Sequence, residues 1–147
     1  MPLTPVPTPP ATPRLVATTD EAMRALGGQR ELPLTHFPFK VGRECRSPET
    51  DKKEITELRL RVAPELNDVY LLEPRWSDLI QISREHFSIE STDGQFFVVD
   101  RKSACGTIVG DKAIGGNRTG GRTELRHGDM IVVGMAGSEY VFRFETR

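Results

Sequence analysis

Phe37, Phe39 and Val41 alternate with Pro38 and Lys40, the two-residue period of a strand with one buried face. Short apolar runs recur at Leu58–Val62, Val69–Leu72, Phe87–Glu90, Phe96–Val99, Thr107–Val109, Met130–Val133 and Tyr140–Phe144. Turn-forming residues separate them, as at Asp93-Gly94, Gly115-Gly116-Asn117, Gly120-Gly121 and His127-Gly128-Asp129. Leu15-Val16-Ala17 is a further short strand. Thr18-x-x-Glu21 then has the form of a capping box, with Ala22, Met23, Ala25 and Leu26 behind it and Gly27-Gly28 as a stop. That pattern predicts a helix of one or two turns over 19–26. Many short strands with no long amphipathic helix predict an all-β sandwich or barrel.

Composition sets the boundaries of this fold. The chain has 147 residues, enough for one domain that buries a core without metal or disulfide support. Residues 1–13 (MPLTPVPTPPATP) form a Pro/Thr tract, read as a flexible tail, so the domain is expected over 14–147. The Thr-Pro pairs at 4–5, 8–9 and 12–13 also have the form of proline-directed phosphorylation sites. Residues 44–57 are polar and mixed in charge, the character of a solvated loop.

A formal net charge of −1 argues against a broad nucleic-acid surface, which is normally basic. No apolar run reaches the length of a membrane span, and the N-terminus lacks the pattern of a signal peptide, so no membrane partner is expected. Two cysteines, Cys45 and Cys105, make no disulfide framework, which points to a reducing, cytoplasmic compartment. A regulatory Cys45–Cys105 disulfide is a sharper alternative, since both lie near the motifs described next.

Four short motifs carry the chemistry. Gly42-Arg43 follows a strand, and Ser83-Arg84-Glu85-His86 precedes one. Asp100-x-x-Ser103-x-Cys105-Gly106-Thr107 follows the run Phe96–Val99, and Leu125-x-x-Gly128-Asp129-x-Ile131-x-x-Gly134 makes a later turn and strand. A phosphothreonine carries about −1.5 to −2 charges and three acceptor oxygens at pH 7. Guanidinium forks, a hydroxyl and backbone amides are the donors suited to it. Loops at one end of a sandwich can converge such groups. Each motif alone is weak; the ordered set is specific. An enzyme is not expected: there is no convincing Ser-His-Asp order, and His36 and His127 lack metal-ligand spacing. No metal or other cofactor is implied, and Asp100 and Asp129 read as turn-fixing residues. Trp76 reads as packing.

In these motifs the sequence resembles the forkhead-associated (FHA) family of phosphothreonine-peptide readers, over about residues 14–146. The resemblance implies an FHA-like β-sandwich of about eleven strands, the SMAD/FHA type, that holds a peptide in loops at one end. It implies that Arg43 and Ser83 ligate the phosphate and that Arg84 assists. Ser103, Cys105 and Thr107 fall on the peptide-binding loop, with Thr107 mainly architectural. Gly42, His86 and Gly106 become structural residues of the site, His86 tying loops together through its imidazole. Cys105 departs from the family pattern, which has an asparagine that grips the peptide backbone; Ser103 is a candidate substitute. The long interval between Arg43 and Ser83 implies an inserted excursion that uses Leu58, Leu60 and Val62.

The implied function is a phosphothreonine-dependent interaction module of serine/threonine-kinase signalling. Its partner is a phosphothreonine-containing protein, or its own N-terminal segment if Thr18, Thr19 or a tail threonine is phosphorylated. The alternative is a degenerate FHA domain that associates without phosphate; Cys105 favours it, while Arg43 and Ser83 oppose it.

Overall fold

The computed structural model describes residues 12–43, 67–73 and 80–146. Among them are eleven strands and one short helix. In chain order these are β1 (Arg14–Ala17), α1 (Asp20–Ala25), β2 (Glu31–Pro33), β3 (Phe39–Arg43) and β4 (Val69–Leu71). There follow β5 (Phe87–Thr92), β6 (Gln95–Asp100), β7 (Thr107–Val109), β8 (Lys112–Ile114), β9 (Gly121–Leu125), β10 (Met130–Val133) and β11 (Val141–Glu145). They form a six-stranded sheet, β2-β1-β11-β10-β7-β8, and a five-stranded sheet, β4-β3-β5-β6-β9. The architecture is the FHA-like β-sandwich expected from the sequence.

Strand alternation builds the core. Phe39 and Val41 of β3, Phe87 and Ile89 of β5, and Phe142 and Phe144 of β11 are all buried, and Arg143 between the last two is exposed. Burying each such side chain contributes about 1.5–3 kcal/mol before the entropy of ordering is counted. Residues Leu15, Val98, Leu125 and Ile131 join the same cluster.

Most predicted strands lie where the apolar runs placed them. The alternation that starts at Phe37 becomes a strand only from Phe39. Strands β2, β8 and β9 have no clear sequence signal: they are sheet edges with few apolar residues, recruited by backbone pairing to β1, β7 and β6. The helix is present, but its cap is Thr19 and not Thr18. The Thr19 hydroxyl accepts from the Ala22 amide at 3.1 Å, while the Thr18 hydroxyl donates to the Val141 carbonyl of the neighbouring strand at 3.0 Å. Tertiary pairing to β11 thus takes the first threonine and leaves the second to cap. The expectations for the tail over 1–11, the loop 44–57, the strand Leu58–Val62, Cys45 and Trp76 lie outside the described residues.

Antiparallel pairing decides where the motifs go. Val41 of β3 pairs with Phe87 of β5, and Phe87 pairs with Asp100 of β6. Thr107 of β7 pairs with Val133 of β10. The end of β3 and the segments 83–86, 101–106 and 134–140 therefore emerge at one end of the sandwich.

Candidate functional site

Arg43 and Ser83 are far apart in sequence and adjacent in space. The Arg43 amide donates to the Ser83 carbonyl at 2.9 Å. The Ser83 Oγ accepts from the Ala104 amide at 3.0 Å, which leaves its own O–H to donate outward. Both side chains are half-buried, and Arg84 is exposed beside them. Gly42 is buried under the same turn. A Cβ there would collide with the Arg84 carbonyl and the Asn67 side-chain amide, so only glycine permits this close approach.

His86 joins the loops. Its Nδ1 accepts from the Ser83 amide at 2.9 Å, so Nε2 carries the ring proton and donates to the Gly106 carbonyl at 2.6 Å. The same carbonyl receives the Gly134 amide at 2.9 Å. One imidazole and one carbonyl thus link the segments after β4, β6 and β10. The ring is fully buried. Burial pushes its pKa below the usual histidine value, against weaker upward pulls from the Gly106 hydrogen bond and the Asp100 charge. Gly106 itself has φ +86°, the left-handed conformation that glycine adopts without strain.

The next turn corrects one expectation. Ser103, placed on the peptide-binding loop as a candidate substitute for the asparagine, is buried at 0% exposure; Thr107, read as mainly architectural, is buried too, at 1%. The Ser103 hydroxyl donates to Asp100 Oδ2 at 2.6 Å and accepts from the Gly106 amide at 2.9 Å. The Thr107 hydroxyl donates to the same Asp100 oxygen at 2.8 Å, and the Ser103 amide donates to Asp100 Oδ1 at 2.8 Å. Asp100 is an acceptor-only carboxylate in a buried turn, and these donors satisfy it. Ser103 therefore has no hydroxyl to lend in place of an asparagine at 105.

Cys105 does reach the rim. Its thiol is half-buried and contacts the Ile80 carbonyl at 3.4 Å. Burial, and then the Glu73 charge, push its pKa up, so the sulfur stays a neutral thiol. Ile80, Met135 and Leu72 are the exposed large hydrophobic residues among those described, and Ile80 lies against this thiol.

Residues that carry no motif support the loops. The Glu73 carboxylate accepts from the consecutive amides of Gln81 and Ile82, at 2.8 and 2.9 Å. Gln81 Oε1 accepts from the Met135 amide at 2.9 Å. Asn67 Nδ2 donates to the Arg84 carbonyl at 2.6 Å. Sequence reasoning missed these residues, because a polar residue beside a short strand has the same composition whether solvated or buried. The burial of Asn67, at 6% exposure, is visible only in three dimensions.

Thr18 and Thr19 are bound into the fold: Thr19 also donates to the Glu139 carbonyl at 2.5 Å. Among the described residues no group of His, Cys, Asp and Glu is arranged to hold a metal, and no helix is long and apolar enough to cross a membrane.

Comparison with known proteins follows the same lines. The family model described as FHA domain matches residues 64–134. Comparison with curated protein sequences gives no match. Among solved structures, the chain is similar to Mycobacterium tuberculosis EmbR in complex with a low affinity phosphopeptide, at 19% identity and TM-score 0.55. That match covers 92% of this chain and 24% of EmbR, so this chain spans only a fraction of that protein. The FHA domain of the CT664 protein from Chlamydia trachomatis matches at 16% identity and TM-score 0.56, over 93% of this chain and 99% of that one. The N-terminal FHA domain of S. cerevisiae Rad53p, in complex with a phosphothreonine peptide, matches at 16% identity and TM-score 0.50, over 90% of each chain. At these identities the likeness is one of fold.

Proposed function

We propose, from the FHA domain match over residues 64–134 and the FHA-like fold, that the chain is a phosphothreonine-dependent interaction module. Arg43 and Ser83 bind the phosphate and Arg84 assists, while the rim at 104–105 shapes peptide choice. The observation that carries this reading is the 2.9 Å bond from the Arg43 amide to the Ser83 carbonyl, which brings an arginine and a serine from distant parts of the chain together at one end of the sandwich. Arginine supplies a planar fork for two phosphate oxygens, and the serine O–H supplies a third donor. The phosphopeptides in the EmbR and Rad53p structures support the same class of partner. The module acts by binding, without a catalytic step, in serine/threonine-kinase signalling in the cytoplasm.

The direct test is titration of a degenerate phosphothreonine-peptide library against its unphosphorylated counterpart by fluorescence anisotropy. Tighter binding of the phosphorylated pool is expected, weakening as salt rises. Equal binding of the two pools would sink the reading.

Cys105 favours a second reading, a degenerate module that binds partners without phosphate. Cysteine is a weak donor and acceptor, and its thiol already faces the Ile80 carbonyl. Cys105→Asn restores the family's peptide-backbone grip and is expected to tighten phosphopeptide binding about threefold to tenfold, one net hydrogen bond. Titration of both proteins with one phosphothreonine peptide checks this. No gain would mean that this rim does not hold the peptide backbone at position 105, and association insensitive to phosphatase would favour the second reading.

A further inference from the structure

Asn67 lies outside all four sequence motifs, yet it is buried and its side chain bonds to the Arg84 carbonyl, one residue after Ser83. Its amide is used on both sides. Oδ1 accepts from Arg101 Nη1 at 2.6 Å, and Nδ2 donates to the Arg84 carbonyl at 2.6 Å. Arginine has only donors, so it fixes which end of the amide faces the carbonyl. Arg101 is held in turn by Glu85 Oε1 at 2.9 Å, and its backbone amide donates to the His86 carbonyl at 2.8 Å. Asn67, Arg101 and Glu85 thus close a ring around the Arg84–Glu85 peptide bond.

That ring fixes a direction. The C=O and N–H of a trans peptide point opposite ways. With the Arg84 carbonyl turned inward over Gly42, the N–H of Glu85, an exposed residue, points the other way, away from Gly42. Among the described residues, the Arg84 and Glu85 amides donate to no protein acceptor. Without Asn67, the Arg84 carbonyl loses its donor and the peptide plane is free to turn. Its negative end would then face an incoming anion.

We propose that Asn67 is a positioning residue of the phosphate corner: through the Arg84 carbonyl it keeps the Arg84–Glu85 turn presenting N–H groups to the phosphate. This rests on the phosphothreonine reading above. The amide side chain is needed because the position must donate to a carbonyl and accept from an arginine at once.

The test pairs Asn67→Asp with Asn67→Ala, titrated with phosphorylated and unphosphorylated forms of a degenerate threonine-peptide library, with thermal melting as a control. Asp keeps the shape and the bond from Arg101 but has no donor for the Arg84 carbonyl. Both variants are expected to lose about threefold to tenfold in phosphopeptide affinity. If Asn67 only anchors Arg101, Asn67→Asp binds as the wild type does, and the proposal is overturned. A wild-type measurement needs no variant to fold: the Glu85 amide resonance is expected to move on adding phosphothreonine peptide, and an unmoved resonance at saturation also overturns it. Equal wild-type affinity for both pools would instead be the failure of the phosphothreonine reading itself. A wild type that discriminates while Asn67→Asp remains unimpaired would be the failure of this inference alone.

Discussion

Arg43→Ala is expected to remove most phosphopeptide affinity while leaving the fold intact. The strand depends on the Arg43 backbone, whose amide bond to Ser83 the substitution keeps. The side chain is half-buried at the rim, where solvent screens its field less than at an open surface. Truncating one partner of a hydrogen-bonded charge pair costs about 2–4 kcal/mol in such a setting, roughly 30- to 1,000-fold in affinity. The cost exceeds that of a neutral hydrogen bond because the phosphate keeps its charge after the guanidinium is gone. Arg43→Lys should fall between, since it keeps the charge but loses the fork. Isothermal titration with one phosphothreonine peptide, with melting curves alongside, decides the matter. An Arg43→Ala protein that binds within about threefold of the wild type would show that the phosphate is held elsewhere, since a charge-assisted contact is worth more than that.

The largest expected stability effect lies at His86. His86→Ala leaves the Ser83 amide without its acceptor in a buried place and removes the donor from one side of the Gly106 carbonyl. It also opens a cavity next to Phe87, whose ring centroid lies 6.2 Å from the imidazole. An orphaned buried donor and a large-to-small change each cost of order 1–3 kcal/mol, so a loss of about 3–5 kcal/mol is expected. That is a large part of a typical domain's total stability. Urea denaturation at neutral pH measures it, and a loss below about 1 kcal/mol would contradict the role given to the ring, being no more than an ordinary surface change.

The same residue sets a pH dependence. Its folded pKa lies below the unfolded value of about 6.5, so between the two the unfolded chain binds more protons. Stability therefore rises with pH across that window. The contribution is complete above the unfolded pKa and is lost as pH falls below it towards the folded pKa. Burial disfavours the charged imidazolium, which is the physical reason for the sign, and a proton on Nδ1 would also set an N–H against the Ser83 N–H. His86→Ala should flatten this part of the stability profile relative to the wild type, and an unchanged slope would remove His86 as its source.

The parts of the site legible in the sequence are those whose chemistry is local. Gly42-Arg43 and Ser83-Arg84 stand at strand ends, and strand ends follow from alternation and turn residues alone. The turn from Asp100 to Thr107 was legible as a turn, but the inward direction of Ser103 was not. A serine next to a strand has the same composition whether its hydroxyl meets water or a buried carboxylate. Asn67, Glu73 and Gln81 were not legible at all, because each acts on backbone groups that pairing brings in from another part of the chain. Thr18 and Thr19 make the same point: local pattern offers either as the cap, and a bond to Val141 decides between them.

By itself, the sequence determined an all-β fold and the positions of its principal strands along the chain, because a two-residue period of apolar side chains fits a half-buried strand; the choice of sandwich over barrel came from the resemblance to the FHA family. The sequence also determined the set of donors at the strand ends and the departure at Cys105. Only the tertiary structure decided that Arg43 meets Ser83 and that one imidazole and one carbonyl together link three loops. It also turned Ser103 inward and gave the Arg84 carbonyl its donor in Asn67. Side-chain periodicity is a property of neighbouring residues. The satisfaction of buried polar groups depends on which distant strands pair, and no local pattern records it.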